Sequence, residues 1–268
     1  MLTLEPYEPK GIKPFVFHGS TSNIGRLKEH PNAVLKYYKE AWWDLSKPMN
    51  DARRSLYRSR FQVEETILRH LGDHPRVVNT TANPYGIWLV EAPNGDLQQY
   101  LEEHGNTIDD SQRCKWCIQA AEAVSYIHSK GVLHCDLRPA NCLLDKNLDL
   151  VLCDFGGSRF GKLSGKGLPD SGFFNPNDKG PPSEAMDVFG LGSLLYVIMT
   201  GRLPHESLIQ SMANYDIVVN QLFGKRQFPQ VEHIKHGQTI LGCWEGKFGM
   251  AADVVQSLKQ EQGLLGHQ

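Results

Sequence analysis

The chain has 268 residues, 40% of them apolar, and a formal net charge of −2. That length suits one compact unit or two small lobes sharing a cleft, and the apolar share is enough for a real core. The near-neutral charge argues against a generic nucleic-acid binder.

The first third reads as mixed and strand-rich. Phe15-Val16-Phe17 and Ala33-Val34-Leu35-Lys36-Tyr37 are short runs bounded by Gly, Ser and Pro, as strands are. Residues 51–71 read as a helix, with Phe61, Ile67, Leu68 and Leu71 as its apolar stripe and Gly72 as its stop. Gly86 to Val90 reads as a strand. Asn94-Gly95-Asp96 is a turn, and Asp96 is expected to cap a short helix ending near Gly105. Ser111 is expected to cap the next helix, in which Cys117, Ala120, Ala121, Val124 and Ile127 follow the 3.6 period and Gly131 marks the end. Cys114 and Cys117 lie on that helix. No second such pair or histidine pair completes a zinc site, so the six cysteines read as buried thiols in a reducing compartment. Cys142-Leu143-Leu144 and Leu148 to Cys153 flank the turn Asp145-Lys146-Asn147, which makes a hairpin.

Val188 to Met199 is the longest apolar run. It is too short to span a bilayer and is flanked by Asp187 and Arg202, so a core helix is expected. Met1 to Pro6 has no basic-then-apolar signal pattern. An intracellular protein, cytoplasmic or nuclear and without a membrane segment, is the expectation. The fold class is α+β: a small, mainly β lobe with one key helix over residues 1–92, and a larger, mainly helical lobe over 93–268. The lobes divide near Ala92-Pro93-Asn94.

Chemistry concentrates in His134-Cys135-Asp136-Leu137-Arg138-Pro139-Ala140-Asn141 and in Asp154-Phe155-Gly156. An apolar strand, Val132-Leu133, precedes the first stretch, so a loop carboxylate there can point into a cleft. The hairpin between the two stretches brings its ends together, which places Asn141 beside Asp154. Two oxygen ligands in that arrangement suit Mg²⁺, which binds through few protein groups plus phosphate oxygens. Asp136 then remains to accept a hydroxyl proton.

These stretches resemble the protein-kinase catalytic loop H-R-D-L-x-x-x-N and its D-F-G. The resemblance implies a two-lobed protein-kinase-like fold that uses ATP and Mg²⁺ and takes a protein substrate. It implies that Asp136 and Arg138 are catalytic and that Asn141 and Asp154 hold the metal. Lys36, in Ala33-Val34-Leu35-Lys36, would hold the α and β phosphates. Glu64 would pair with it, with Glu65 as rival on the same helix; the phase of Ile67 and Leu68 favours Glu64. Gly19, Ser20 and Gly25 would cover the phosphates. Val34, Leu143 and the hinge Leu89-Val90-Glu91-Ala92 would hold the adenine, with Leu89 as gatekeeper. His74-Pro75-Arg76-Val77-Val78, Asp187 to Gly192, Gly201 to Pro204 and Cys243-Trp244 resemble further family landmarks. The pattern is also similar to small kinase-like proteins of filamentous fungi, which share H-C-D-L-R-P-x-N and D-F-G-G.

The chain departs from the family pattern in three places. Thr21 stands where a second glycine of the phosphate loop is expected. Cys135 replaces the loop arginine that pairs with a phosphorylated segment, so activity without such phosphorylation is expected, with Ser158, Ser164 and Ser171 as dispensable candidate phosphosites. The family's A-P-E becomes Asn175-Pro176-Asn177, and Ala251 stands in the register of its arginine partner. Losing both partners of a buried pair can be nearly neutral. Elsewhere, the basic run Arg53 to Arg60 reads as a solvated face or a docking site. Trp42 and Trp43 read as small-lobe packing or a partner patch.

Three functions fit these residues. The leading one is an ATP- and Mg²⁺-dependent kinase for protein hydroxyls, with Arg138 favouring Ser/Thr over Tyr. A pseudokinase scaffold is the alternative that the weak glycine loop and the lost A-P-E support. A small-molecule phosphotransferase is the third; the Asp187 helix and His74-Pro75 favour the protein-kinase branch over it.

Overall fold

The computed structural model describes residues 17–18, 22–30, 32–38, 51–83, 86–209 and 211–263. Phe15, Val16, Gly19, Ser20, Thr21, Trp42 and Trp43 lie outside them.

The smaller lobe is built on an antiparallel sheet of β1 (Phe17–His18), β2 (Ser22–Arg26), β3 (Ala33–Tyr38), β4 (Thr80–Asn83) and β5 (Gly86–Val90), in the order β1-β2-β3-β5-β4. Alternation along β3 sorts its side chains onto two faces. Leu35 and Tyr37 pack with Leu27 and Trp88 in a small outer cluster. Val34 joins the main core on the other face, and Lys36, two residues on, shares that face. Ile24 and Ile87 flank Lys36 in register.

The helix α1 (Asp51–Leu71) buries Val63, Ile67, Leu68 and Leu71 in the main core. Glu64 is three and four residues before Ile67 and Leu68, so helical spacing puts it on the same inward face. The helix ends where the Gly72 N–H bonds the Leu68 carbonyl at 3.1 Å, with Gly72 at φ 66°, a conformation glycine adopts without strain.

In the larger lobe, α2 (Leu97–His104) starts at Asp96, whose carboxylate accepts from the Gln99 N–H at 3.0 Å, as expected. The cap of α3 (Asp110–Ser129) differs from the expectation. Asp109, not Ser111, accepts from the Gln112 N–H, at 2.7 Å. The Asp-x-x-Gln spacing is itself a capping pattern and starts the helix two residues before Ser111 could. Short strands follow: β6 (Val132–Leu133), the hairpin β7 (Cys142–Leu144) and β8 (Leu150–Leu152), then β9 (Arg159–Phe160) and β10 (Leu163–Ser164). The second hairpin strand is shorter than the sequence suggested, because Leu148 sits at φ 58° in the turn. There, Asp145 accepts from the N–H groups of Asn147 and Asp149. Leu152 exchanges backbone bonds with the exit of α1: its N–H reaches the Arg76 carbonyl at 2.9 Å, and its carbonyl accepts from Val78 at 3.0 Å.

The central helix α4 (Glu184–Thr200) is capped by Ser183 and stopped by Gly201 at φ 69°. It is buried on nearly all sides and packs against α3, α6 (Gly237–Glu245) and α7 (Ala251–Glu261), while α5 (Tyr215–Gly224) lies near the end of the 154–176 segment. A side chain at Gly192 would come within 2.6 Å of the Cys243 Cβ, so α4 and α6 cross closely there. The Trp244 indole donates to Ser193 at the same crossing, at 2.9 Å. The architecture is the expected one: a small β-rich lobe with one long helix and a larger helical lobe. Among the described residues, no helix is long and apolar enough to cross a membrane.

Candidate active site

Three elements meet at Lys36. Its ammonium lies 2.7 Å from both carboxylate oxygens of Glu64 on α1 and 3.0 Å from Oδ1 of Asp154 after β8. Lys36 is 6% exposed and Glu64 2%, so the pair is screened little by water. Burial penalises the ammonium, but the Asp154 and Glu64 carboxylates outweigh it and raise its pKa, so Lys36 stays charged. Lys36 in turn holds the Asp154 carboxyl below its ordinary value. Burial pushes Glu64 up, with Lys36 pulling it back. Glu65 instead pairs with Arg69 on the outer surface at 2.7 Å. The phase argument for Glu64 is therefore met by the geometry.

The second group lies on the loop after β6. Asn141 donates to the Asp136 carboxylate at 3.0 Å and to its carbonyl at 2.7 Å. The Cys153 N–H bonds the Asn141 carbonyl at 2.9 Å, so the β7–β8 hairpin does close Asn141 and Asp154 together. Asp154 sits at φ 62° and Cys135 at φ 63°, left-handed positions that non-glycine residues rarely take. Cys135 is held in its strained turn by Asp187, at the start of α4. The Asp187 carboxylate accepts from the N–H of His134 at 2.7 Å and of Cys135 at 2.9 Å, and lies 3.0 Å from the His128 ring. His134 reaches the Cys153 carbonyl at 3.0 Å and stands edge-on to Phe155, which is fully buried. Burial raises the Asp136 carboxyl, against the pull of His134, Arg138 and Asn141. A carboxylate tuned upward in a cleft is suited to taking a proton.

Asp154 and Asn141 suit a hard cation by their chemistry. With its NH₂ group turned to Asp136, Asn141 has its amide oxygen as a donor, and Asp154 supplies a carboxylate. Among the described residues, no group of three or more His, Cys, Asp or Glu side chains is placed to hold a metal. A cation here would be held by few protein groups, as Mg²⁺ is when phosphate oxygens complete its shell.

The protein kinase domain family model matches residues 45–258. The chain belongs to the protein kinase domain family. It is 28% identical to serine/threonine-protein kinase YPK3 of Saccharomyces cerevisiae over 196 residues, which cover 63% of this chain and 35% of that protein. It is 33% identical to serine/threonine-protein kinase RUNKEL of Arabidopsis thaliana over 202 residues, covering 70% and 14% respectively. To serine/threonine-protein kinase mos of Patiria pectinifera it is 24% identical over 230 residues, covering 78% and 64%. The chain thus spans less than two thirds of each of these relatives. The family match begins after Lys36, so the placement of that lysine rests on the ion pairs described above.

In this kinase domain the remaining expected residues fall as follows. Gly25 on β2 pairs with Leu35, and Val34 pairs with Leu89, both of the latter pair buried at the roof of the cleft. Val90 is 57% exposed. Glu91 turns its side chain to Arg26 at 2.6 Å, and its N–H bonds the Asn32 carbonyl at 2.9 Å. Ala92 accepts from Gly95 at 3.1 Å, and Leu143 is bridged to Asp96 across the floor. Arg138 is paired with Asp170 of the 154–176 segment. Gly19 and Ser20 lie outside the described residues.

Two sequence expectations for this kinase domain change. Ser158 is fully buried and donates to the His134 carbonyl at 3.0 Å, so it is a structural hydroxyl and not a phosphosite. Arg60, the last residue of the basic run, is no solvated side chain: it donates to the carbonyls of Gly165 at 3.0 Å and Lys166 at 3.3 Å. Asn177, in place of the family glutamate, donates its amide to the Gly224 carbonyl at the end of α5, at 2.9 Å, while Ala251 is fully buried at the head of α7. A neutral amide-to-carbonyl tie thus holds Asn177 at that position. Sequence reading also gave Asp187 no role beyond a landmark. The available signal was a carboxylate opening an otherwise apolar helix, since a buried carboxylate needs donors.

Proposed function

We propose that the chain transfers the γ-phosphoryl group of ATP to a protein hydroxyl, on Ser or Thr in preference to Tyr. The observation that carries this reading is the Lys36 ammonium held between Glu64 and Asp154, with Cys153, next to Asp154, bonded through its N–H to Asn141 of the Asp136–Asn141 pair. A scaffold has no chemical need for a buried lysine flanked by two carboxylates. In the proposed roles, Lys36, oriented by Glu64, holds the α and β phosphates. Asp154 and Asn141 hold Mg²⁺, which when bound neutralises charge on the phosphates. Asp136 orients the acceptor hydroxyl and takes its proton. Arg138 lies two residues beyond and offsets charge on the transferred group. Val34, Leu89, the backbone of residues 90–92 and Leu143 enclose the adenine, and Gly19, Ser20 and Gly25 cover the phosphates. The printed names of the relatives support Ser/Thr as the acceptor class.

The lobe boundary near Ala92-Pro93 belongs to the same reading. It is supported by Asn94 and Gly95, whose backbone bonds already go to Leu144 of the larger lobe. Six free cysteines support a reducing compartment, cytoplasm or nucleus. Cys135 supports the non-phosphorylated, fungal-type subclass. The test is transfer of radiolabel from ATP, with and without Mg²⁺, to generic protein acceptors and to amino-sugar and choline acceptors. Mg²⁺-dependent labelling of protein by the wild type and labelling lower by about a hundredfold or more by Asp136→Asn is the expected result. Labelling of small molecules alone, or none at all with ATP still bound, would replace the protein-kinase reading with one of its alternatives.

A further inference from the structure

The segment that follows Asp154 is fastened at three places. First, Gly165 and Gly167 lie directly on Gly156 and Gly157: their N–H groups bond the carbonyls of Ser158 at 2.9 Å and Gly157 at 2.8 Å. A side chain at Gly165 would come within 1.9 Å of the Gly156 carbonyl oxygen, and Arg60 of α1 grips the same stretch from above. Last, Phe173 is buried at 4% exposure, and its carbonyl lies so close to α4 that a side chain at Gly190 would meet it at 2.9 Å. Ser171 accepts there from Asn220 of α5 at 3.2 Å. Between these two anchors lies Asp170, whose carboxylate pairs with the Arg138 guanidinium on the catalytic loop. The Phe173 N–H bonds the Asp170 carbonyl at 3.0 Å, so Asp170 opens the turn that delivers the chain onto α4.

We propose that Asp170 is a positioning residue: its carboxylate holds Arg138 beside Asp136 and joins the segment to the catalytic loop, so that no phosphoryl group is needed for that junction. The neighbouring loop position makes this division of labour necessary. Cys135 is 2% exposed, and its thiol faces the Leu133 carbonyl at 3.7 Å, so it presents no cation to an anion on the segment. Arg138 is the loop cation within reach of the segment, and a genetically encoded carboxylate already occupies it. A guanidinium has no acceptor atoms and a planar fork, so a carboxylate partner fixes its direction as well as its charge. Direction matters here because the same group must face the cleft when a phosphoryl group passes Asp136.

The inference rests on the kinase reading for its activity arm, and a second arm is independent of activity. Asp170→Ala, Asp170→Asn and Asp170→Glu are prepared in the full chain and treated with phosphatase. Both partners are partly exposed, with side-chain exposures of 36% for Arg138 and 56% for Asp170, so the fold should survive all three changes. Expected is a fall in kcat of about three- to fivefold for Ala and Asn, the range of one exposed ion pair, with KM for ATP unchanged, and recovery in Glu. The loss should shrink at high salt. Hydrogen exchange of residues 158–172 should be faster in Ala and Asn than in the wild type. Unchanged exchange in both would overturn the junction. Raised kcat in both would make Asp170 a brake and would equally overturn it. If the wild type itself transfers no phosphate, the kinase reading fails, and the exchange arm alone decides for or against Asp170.

Discussion

The Asp187 carboxylate accepts hydrogen bonds from the N–H groups of His134, at 2.7 Å, and Cys135, at 2.9 Å, and thereby fixes the loop that carries Asp136. Asp187 is 3% exposed, and Cys135 sits in a left-handed conformation that costs about 1–2 kcal/mol. Removing the carboxylate orphans two buried donors and releases the strained turn. Asp187→Ala should therefore lose about 3–5 kcal/mol in urea unfolding, together with phosphoryl transfer. Asp187→Asn keeps one acceptor and should lose less. A loss under about 1 kcal/mol for Ala would show that the loop holds itself.

Glu64 and Glu65 are adjacent in sequence and opposite in circumstance. Glu64 is buried against Lys36, whereas Glu65 meets Arg69 at the surface. Glu64→Gln should weaken ATP binding and lower transfer by about tenfold or more, because Lys36 loses a charged partner in a dry site. Glu65→Gln should change stability by under about 0.5 kcal/mol and leave activity alone. Isothermal titration with ATP on both variants checks the contrast. Equal effects would remove Glu64 from its assigned place.

Asp136 links catalysis to stability through the sign of its pKa shift. Burial raises its carboxyl above the ordinary value of 3.8. A group raised in the folded state contributes stability below its unfolded pKa and loses that contribution as pH rises through the folded pKa. At neutral pH the ionised Asp136 therefore costs the fold free energy. Asp136→Asn should lower kcat by about 10²–10⁴-fold, leave ATP binding nearly intact, and melt at or above the wild-type temperature. The acid limb of the wild-type kcat profile should lie above the pH at which a free aspartate titrates. A destabilised Asp136→Asn, or an unshifted acid limb, would contradict the assignment.

The elements legible in the sequence are those whose cause is local. The short run 33–37 bounded by turn residues, the stripe in 51–71 and the 142–153 hairpin each follow from neighbouring residues. The hairpin alone was enough to place Asn141 beside Asp154. Even the choice of Glu64 over Glu65 needed only helical phase. What stayed hidden depends on partners far apart in the chain. Asp187 finds His134 across 53 residues, Arg60 finds Gly165 across 105, and Arg138 finds Asp170 across 32. Composition marks Arg60 as basic and Ser158 as a hydroxyl, but only packing shows that the first grips a backbone and the second is sealed from any kinase. The cap of α3 is a different case. Asp109-x-x-Gln112 was present in the sequence, and Ser111 competed with it for the same turn.

The glycines after Asp154 have a packing role of their own. Gly165→Ala would set a methyl group within 1.9 Å of the Gly156 carbonyl oxygen, a contact that backbone movement must relieve. The segment should lift from Gly156-Gly157, with a cost of about 1–3 kcal/mol and a clear loss of transfer. Gly161→Ala is the control: it has open space around it, although its φ of 56° carries ordinary strain. Thermal melts and transfer assays on the two variants should separate crowding from strain. An active, fully stable Gly165→Ala would mean that the clasp does not matter.

Cys153 tests the cleft from its floor. Leu150 and Leu152 turn into the core at 0% and 1% exposure, while Val151 and Cys153, on the alternate face, are half-buried. The Cys153 backbone is pinned on both sides, its N–H to Asn141 and its carbonyl to His134, so the thiol's position is set by the two residues that frame the phosphate end of the site. Burial raises its pKa well above the ordinary thiol value, and the Asp154 carboxylate adds to the effect. Little thiolate is present at neutral pH, and alkylation must be slow. Cys142 and Cys243 are more deeply buried and should be slower still. Iodoacetamide should therefore label Cys153 slowly in the free chain, ahead of those two, and Mg-ATP should protect it by filling the space beside Asp154. Peptide mapping by mass spectrometry with and without nucleotide measures the ratio. Equal rates in the two conditions, or no label at Cys153 while the fold stays intact, would place its thiol outside the nucleotide cleft.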